Sequence, residues 1–181
     1  RPGIGVTAAV HVGDTPELRV EYQGRSQLYY FLVRYANPAI VPWVHTVFFY
    51  NLYDPASGAY HHQDFSEHRV YLEERVRAQL PVAYYPESAY WIAFDNSVPT
   101  YLPVYLKSRH LALVRIREAG RLREHMLFSS GWEWGYWQTD VGVLRMNWAL
   151  PAAWDAPVKE QLAPFGEKGL AAADLVRRLG D

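Results

Sequence analysis

The sequence predicts an α/β protein with a mainly parallel sheet from consecutive βα units, forming part of a (β/α)-barrel. Three observations carry this. Short β-branched and aromatic runs alternate with longer helical stretches, the pattern of strands joined by crossover helices. The chain has 181 residues, half apolar and a fifth charged, which suits one ordinary domain and excludes disorder or collagen-like order. Three or four such units make roughly half of an eight-unit barrel of ~250 residues, and a small open sheet is the other arrangement that accommodates them. Residues 1–150 read as the half-barrel-like α/β domain and 151–181 as a C-terminal helical segment.

The elements follow in order. Residues 4–12 form a strand closed by Gly13-Asp14-Thr15-Pro16, and 18–22 alternate as a short edge strand. Residues 27–35 are ambiguous between strand and helix. Residues 43–52 are nearly continuous in β-branched and aromatic side chains, as in a strand buried on both faces. Asp64 with Glu67 three residues on starts a helix through about residue 79, with Phe65, Val70, Tyr71 and Val76 as its apolar stripe. Residues 81–85 are a short strand. Residues 98–119 are mainly helical, regular from about Val104 because Pro99 and Pro103 precede it, and Gly120 ends them. Residues 125–128 are another strand. Thr139 or Asp140 caps a helix to about residue 149, and 170–179 form a closing helix.

Charge and composition exclude several functions. Eighteen Lys and Arg against nineteen Asp and Glu leave a net charge of −1, with no electrostatic case for nucleic acid or an anionic membrane. No apolar run approaches the ~20 residues of a membrane span. The absence of cysteine excludes disulfides, a thiolate nucleophile and Cys-ligated metal, and leaves the compartment open. The start at Arg1-Pro2-Gly3 reads as a processed product or a piece of something longer. A half-barrel leaves strand edges unpaired, so the rest of a larger protein or a second copy is an expected partner. No cofactor is expected: there is no Gly-rich phosphate loop and no Gly-x-Ser-x-Gly elbow. His61, His62, Asp64 and His68 have spacing reminiscent of an iron triad. Loop and cap chemistry explains them better, and no metal is assigned. His45, inside the best strand, reads as a hydrogen-bonded core residue or an orienting group.

Aromatic usage is the unusual feature. Seven Trp and fourteen Tyr outnumber seven Phe threefold, and buried Trp or Tyr must find a hydrogen-bond partner. A half-wet wall, such as a ligand cleft, fits that excess. In parallel-sheet folds, sites form at the carboxyl ends of strands. Glu87 and Glu133 each follow an apolar strand, amid Tyr84, Tyr85, Tyr90 and Trp91 in one case and Trp132, Trp134, Tyr136 and Trp137 in the other. Neighbouring strand ends bring two carboxyls toward the ~5–9.5 Å separation of glycosidase pairs, and apolar walls suit one of them to general-acid work. A strand-end Glu also serves as a helix cap or an ion-pair partner.

Glu87 after PVAYY and Glu133 in SSGWEWGYW resemble the strand-end carboxylates of (β/α)8-barrel glycoside hydrolases, over roughly residues 43–148. The resemblance implies a carbohydrate-acting TIM barrel in the broad sense, with Trp side chains as sugar platforms. On this reading Glu87 and Glu133 are the acid/base pair. Asn51 and Asp95 orient substrate hydroxyls, and Trp91, Trp132, Trp134, Tyr136 and Trp137 line subsites. The alternative is a non-catalytic module that binds a small ligand or a partner with the same aromatic wall.

Overall fold

Four strands pair in parallel in the order in which the chain makes them. The computed structural model describes residues 5–87, 102–127 and 133–181, with side chains in the last stretch from Trp137 onward. Along the chain run β1 (Thr7–Val10), a hairpin of β2 (Arg19–Tyr22) and β3 (Arg25–Leu28), then β4 (Val41–Thr46). α1 (Ser66–Arg77), β5 (Ala83–Pro86), α2 (Pro103–Ala119) and β6 (Glu124–His125) follow, and α3 (Glu133–Trp148), α4 (Ala156–Leu162) and α5 (Gly166–Gly180) close the chain. The sheet order is β1-β4-β5-β6, with Val10 opposite Val44 and Val44 opposite Tyr84. Parallel neighbours need long crossovers, and α1 and α2 supply two of them. The protein is thus mixed α/β with a four-stranded parallel sheet.

The chain divides into two compact units. The first comprises Arg1–Val47, Leu52–Pro86 and Ile116–Met126; the second comprises Phe48–Asn51, Glu87–Arg115 and Leu127–Asp181. The sheet, the hairpin and α1 belong to the first unit. Val10, Val44, Ala83 and Tyr84 are completely buried there, so the parallel sheet carries the core of this unit. Helices α3, α4 and α5 belong to the second unit, whose core gathers Leu106, Val143, Met146, Val158 and Ala173.

Helix α1 shows how polar residues enter such a core. Its buried positions are His68, Tyr71, Leu72, Arg75 and Val76, one helical stripe. Val70, expected on that stripe, is 40% exposed. His68 and Arg75 take stripe positions because each reaches backbone carbonyls. Arg75 donates to Pro38 O, Ile40 O and Pro81 O at 2.7–3.0 Å, satisfying the entries to β4 and β5. Asp64 starts the helix by accepting the Ser66 N–H at 2.8 Å. The Ser66 hydroxyl and N–H hold its carboxyl below the usual carboxylate range.

Several elements differ from the sequence-based expectation, among them β6, which is Glu124–His125 where the pattern predicts residues 125–128. The strand expected through residue 52 ends at Thr46, because Phe48 adopts φ 54° and leaves the extended region. The ambiguous stretch at 27–35 is divided: β3 ends at Leu28, and Tyr29–Tyr35 is a 3-10 helix. The helix expected from Thr139 or Asp140 begins at Glu133. Residues 133–137 therefore belong to a helix and not to a strand-end loop. Among the described residues no helix is long and apolar enough to cross a membrane.

Candidate functional site

In the second unit, the chemistry gathers on the short segment Phe48–Asn51. The chain turns left-handed at Phe48, and Arg109 from α2 reaches the carbonyls of this segment. Arg109 is completely buried and donates to Phe48 O and Tyr50 O, both at 2.9 Å. Asn51, 1% exposed, donates through Nδ2 to Ser108 Oγ at 3.1 Å, a second tie to the same helix. Glu87, one residue past β5, accepts the Phe48 N–H at 2.6 Å. A short charge-assisted bond of this kind holds the carboxylate in one position. Aromatic rings flank the segment: Phe49 lies 4.7 Å from Tyr50 and meets Tyr105 edge-on at 6.2 Å. Phe49 is 40% exposed, so the cluster presents a face to solvent.

The remaining expected site residues are distributed differently. Trp137 lies on α3, 45% exposed, in a stripe with Val141, Leu144 and Trp148 that is exposed throughout. Glu133, Trp134 and Tyr136 are placed on the first turn of α3 by backbone, and their side chains lie outside the described residues. Trp91, Asp95 and Trp132 lie wholly outside them. The structure thus brings Glu87 and Asn51 to one segment and puts Trp137 on a helix surface.

In the first unit, imidazoles collect at the carboxyl ends of β1 and β4. The His11 ring stacks on His45 at 5.0 Å, and His62 meets His68 edge-on at 5.3 Å. His45 Nδ1–H donates to Tyr85 O and His68 Nε2–H to His11 O, both at 2.8 Å, which fixes their tautomers. His62 Nε2 instead accepts the Gly13 N–H at 2.9 Å. Gly13 sits at φ 132°, open only to glycine. His68 Nδ1 is buried with no partner. Burial pushes His68 down to about 3 and also lowers His62, so both rings are neutral at ordinary pH. Each ring is engaged by backbone, and among the described residues no three His, Asp or Glu side chains are gathered as a metal-ligand set.

Sequence reasoning missed Arg109 and the Phe48–Phe49 turn. A signal for Arg109 was present: Tyr105, Arg109, Ala112 and Ile116 make one buried helical stripe, and a charged residue in such a row needs carbonyl partners. The turn had no local signal, since Phe is disfavoured at positive φ.

Fold and site together define a mixed α/β protein whose sheet is parallel and whose second unit presents a carboxylate beside an aromatic cluster. No protein-family model, no curated protein and no solved structure matches the chain.

Proposed function

We propose that the chain acts on carbohydrate as a hydrolase-like α/β domain of (β/α)-barrel type, with Glu87 and Glu133 as its acid/base pair. The observation that carries this reading is Glu87 itself. It follows a parallel strand directly, its carboxylate is anchored by the Phe48 N–H, and exposed aromatic surface lies on the same segment. Carboxyl ends of parallel strands are where such folds place reacting groups. Flat aromatic faces suit the apolar faces of sugar rings. In the reaction, one carboxylic acid protonates the glycosidic oxygen as the bond to the anomeric carbon breaks. The other carboxylate either attacks that carbon at ~5–5.5 Å separation, giving a glycosyl ester that water then cleaves with the first residue as base, or activates water directly at ~6.5–9.5 Å.

The test is a screen of the wild-type chain against chromogenic glycosides, followed by Glu87→Gln. A glutamine still accepts the Phe48 N–H through its amide oxygen, so the anchor and the fold survive. Proton transfer or nucleophilic attack does not survive, and turnover falls by ~10²–10⁴-fold. Wild-type protein that cleaves no glycoside, or a variant of unchanged rate, defeats the hydrolase reading.

A second reading rests on a separate observation, the exposed stripe Trp137, Val141, Leu144 and Trp148 on α3. Apolar surface in a helical row is suited to covering by a ligand or partner. A non-catalytic binding module would use this stripe and would be indifferent to Glu87→Gln.

A further inference from the structure

In the first unit, residues 55–64 form a segment folded back on itself. The Ala56 N–H donates to Gln63 O at 2.7 Å, and Pro55 bridges Asp64 in antiparallel fashion. The turn inside it is left-handed at Ser57 (φ 49°), Gly58 (φ 83°), Tyr60 (φ 51°) and His61 (φ 68°). All but the glycine carry side chains that disfavour this region, and such backbone persists only where its surroundings hold it. Two hydrogen bonds join the turn to the residues that follow β1. The Asp14 N–H donates to Tyr60 O at 3.1 Å, and the Gly13 N–H donates to His62 Nε2 at 2.9 Å. The second bond differs in kind from the first. A ring nitrogen that accepts an N–H needs its lone pair, so this bond exists only while Nε2 is unprotonated.

We propose that the Gly13–His62 bond is an acid-released latch: a proton taken up at His62 Nε2 breaks it, and the strained turn 57–61 leaves the carboxyl end of β1. The imidazolium then turns an N–H toward the Gly13 N–H, two donors with no acceptor between them. Gly13 is buried and close-packed, since a Cβ there would lie 2.9 Å from Leu18 Cδ1, so the turn is the partner that moves. The charged groups facing His62 are Asp14 after β1, Arg19 of β2, and Asp64 and Glu67 at the start of α1. His68 of α1 meets the ring edge-on at 5.3 Å. Arg19 is itself paired with Asp14 at 2.7 Å and with Glu67 at 3.1 Å. Burial is the largest influence and holds the ring below its ordinary 6.5, against the three carboxylates that favour the imidazolium. The latch is therefore closed at neutral pH and opens as pH falls below that value. It lies in the first unit and is independent of the carbohydrate reading.

The experiment is amide hydrogen exchange of the full chain, read by NMR at pH ~7.5 and ~5 and corrected for the intrinsic pH dependence of exchange. Val44, completely buried in β4, is the core reference. In the wild-type chain the protection of both Gly13 and Asp14 should fall by ~10-fold or more beyond any change at Val44, the worth of a buried hydrogen bond. His62→Gln puts an amide oxygen where Nε2 stands, so it keeps the bond and cannot take up the proton. In that variant Gly13 and Asp14 should follow Val44 at both pH values. A second measurement needs no variant: the His62 ring and the Gly13 amide should titrate with one shared midpoint below 6.5. Gly13 and Asp14 that track Val44 in wild type, the same excess fall in His62→Gln, or separate midpoints for ring and amide would each overturn the proposal. Loss of protection at Gly13 with Asp14 unchanged would overturn it too, because the bond would then break without moving the turn.

Discussion

His68 and Arg109 are both completely buried, one in each compact unit, and they are kept there by opposite means. His68 is buried as a neutral ring that gives one N–H to His11 O and leaves Nδ1 unpartnered. Arg109 cannot discharge, and it is buried on the carbonyls of Phe48 and Tyr50. The first arrangement depends on pH, and the second depends on the shape of the segment it grips. Titratable polar groups can thus enter a core by losing charge, whereas permanent charges enter only where a turn has freed backbone acceptors.

The largest effect expected from this contrast is in the second unit. Arg109→Met keeps the aliphatic stem and strips the Phe48 and Tyr50 carbonyls of their donor. Each unsatisfied buried carbonyl costs ~1–3 kcal/mol, so the loss is about 4 kcal/mol and should be nearly the same at pH 5 and pH 8. Urea unfolding at the two pH values measures it. A loss below 1 kcal/mol would mean that water reaches those carbonyls, and the contrast would fail.

The next effect belongs to the first unit and is a pH dependence. The folded pKa of His68 lies at about 3, below the ordinary 6.5, so the unfolded chain binds the extra proton first. Stability from this group is fully present above pH ~6.5 and is lost as pH falls toward 3, by on the order of 3 kcal/mol at pH 4. His62 is shifted the same way and adds to the slope above pH 4.5, where carboxylates contribute little. Thermal melts between pH 7.5 and 4.5 should show the decline, and His68→Gln should flatten it. A melt unchanged over that interval would refute the neutral burial of His68.

The smallest effect probes backbone geometry in the first unit. Gly120 ends α2 at φ 152°, and a Cβ there would lie 2.9 Å from Val76 Cγ1. Gly120→Ala should cost ~1–3 kcal/mol through strain and overpacking. Stability at or above wild type would show that the α2 terminus relaxes freely, and with it the placement of β6.

Much of the architecture could be read from residues alone. The alternation of β-branched runs with helical stretches indicated parallel pairing, and β5, α1 and α2 lie where pattern, caps and prolines put them to within a few residues. The errors share a cause. Phe48 leaves the strand against its own preference, and Arg109 and Arg75 stand in apolar rows where pattern reading expects none. Glu87 was legible as a strand-end carboxylate because local pattern marks where β5 stops. Its bond to the Phe48 N–H was not, since the two are 39 residues apart.

The sequence by itself determined the α/β class, the βα order, the absence of cysteine chemistry and the stretches able to fold as strands or helices, because these depend on local preference and composition. Only the tertiary structure decided which polar side chains are buried and what satisfies them. Arg109 on the turn carbonyls, His68 on His11 O and the Gly13 N–H on His62 are matters of long-range juxtaposition. A buried polar group is stable or costly according to a partner that lies far away along the chain, and no local pattern encodes that partner.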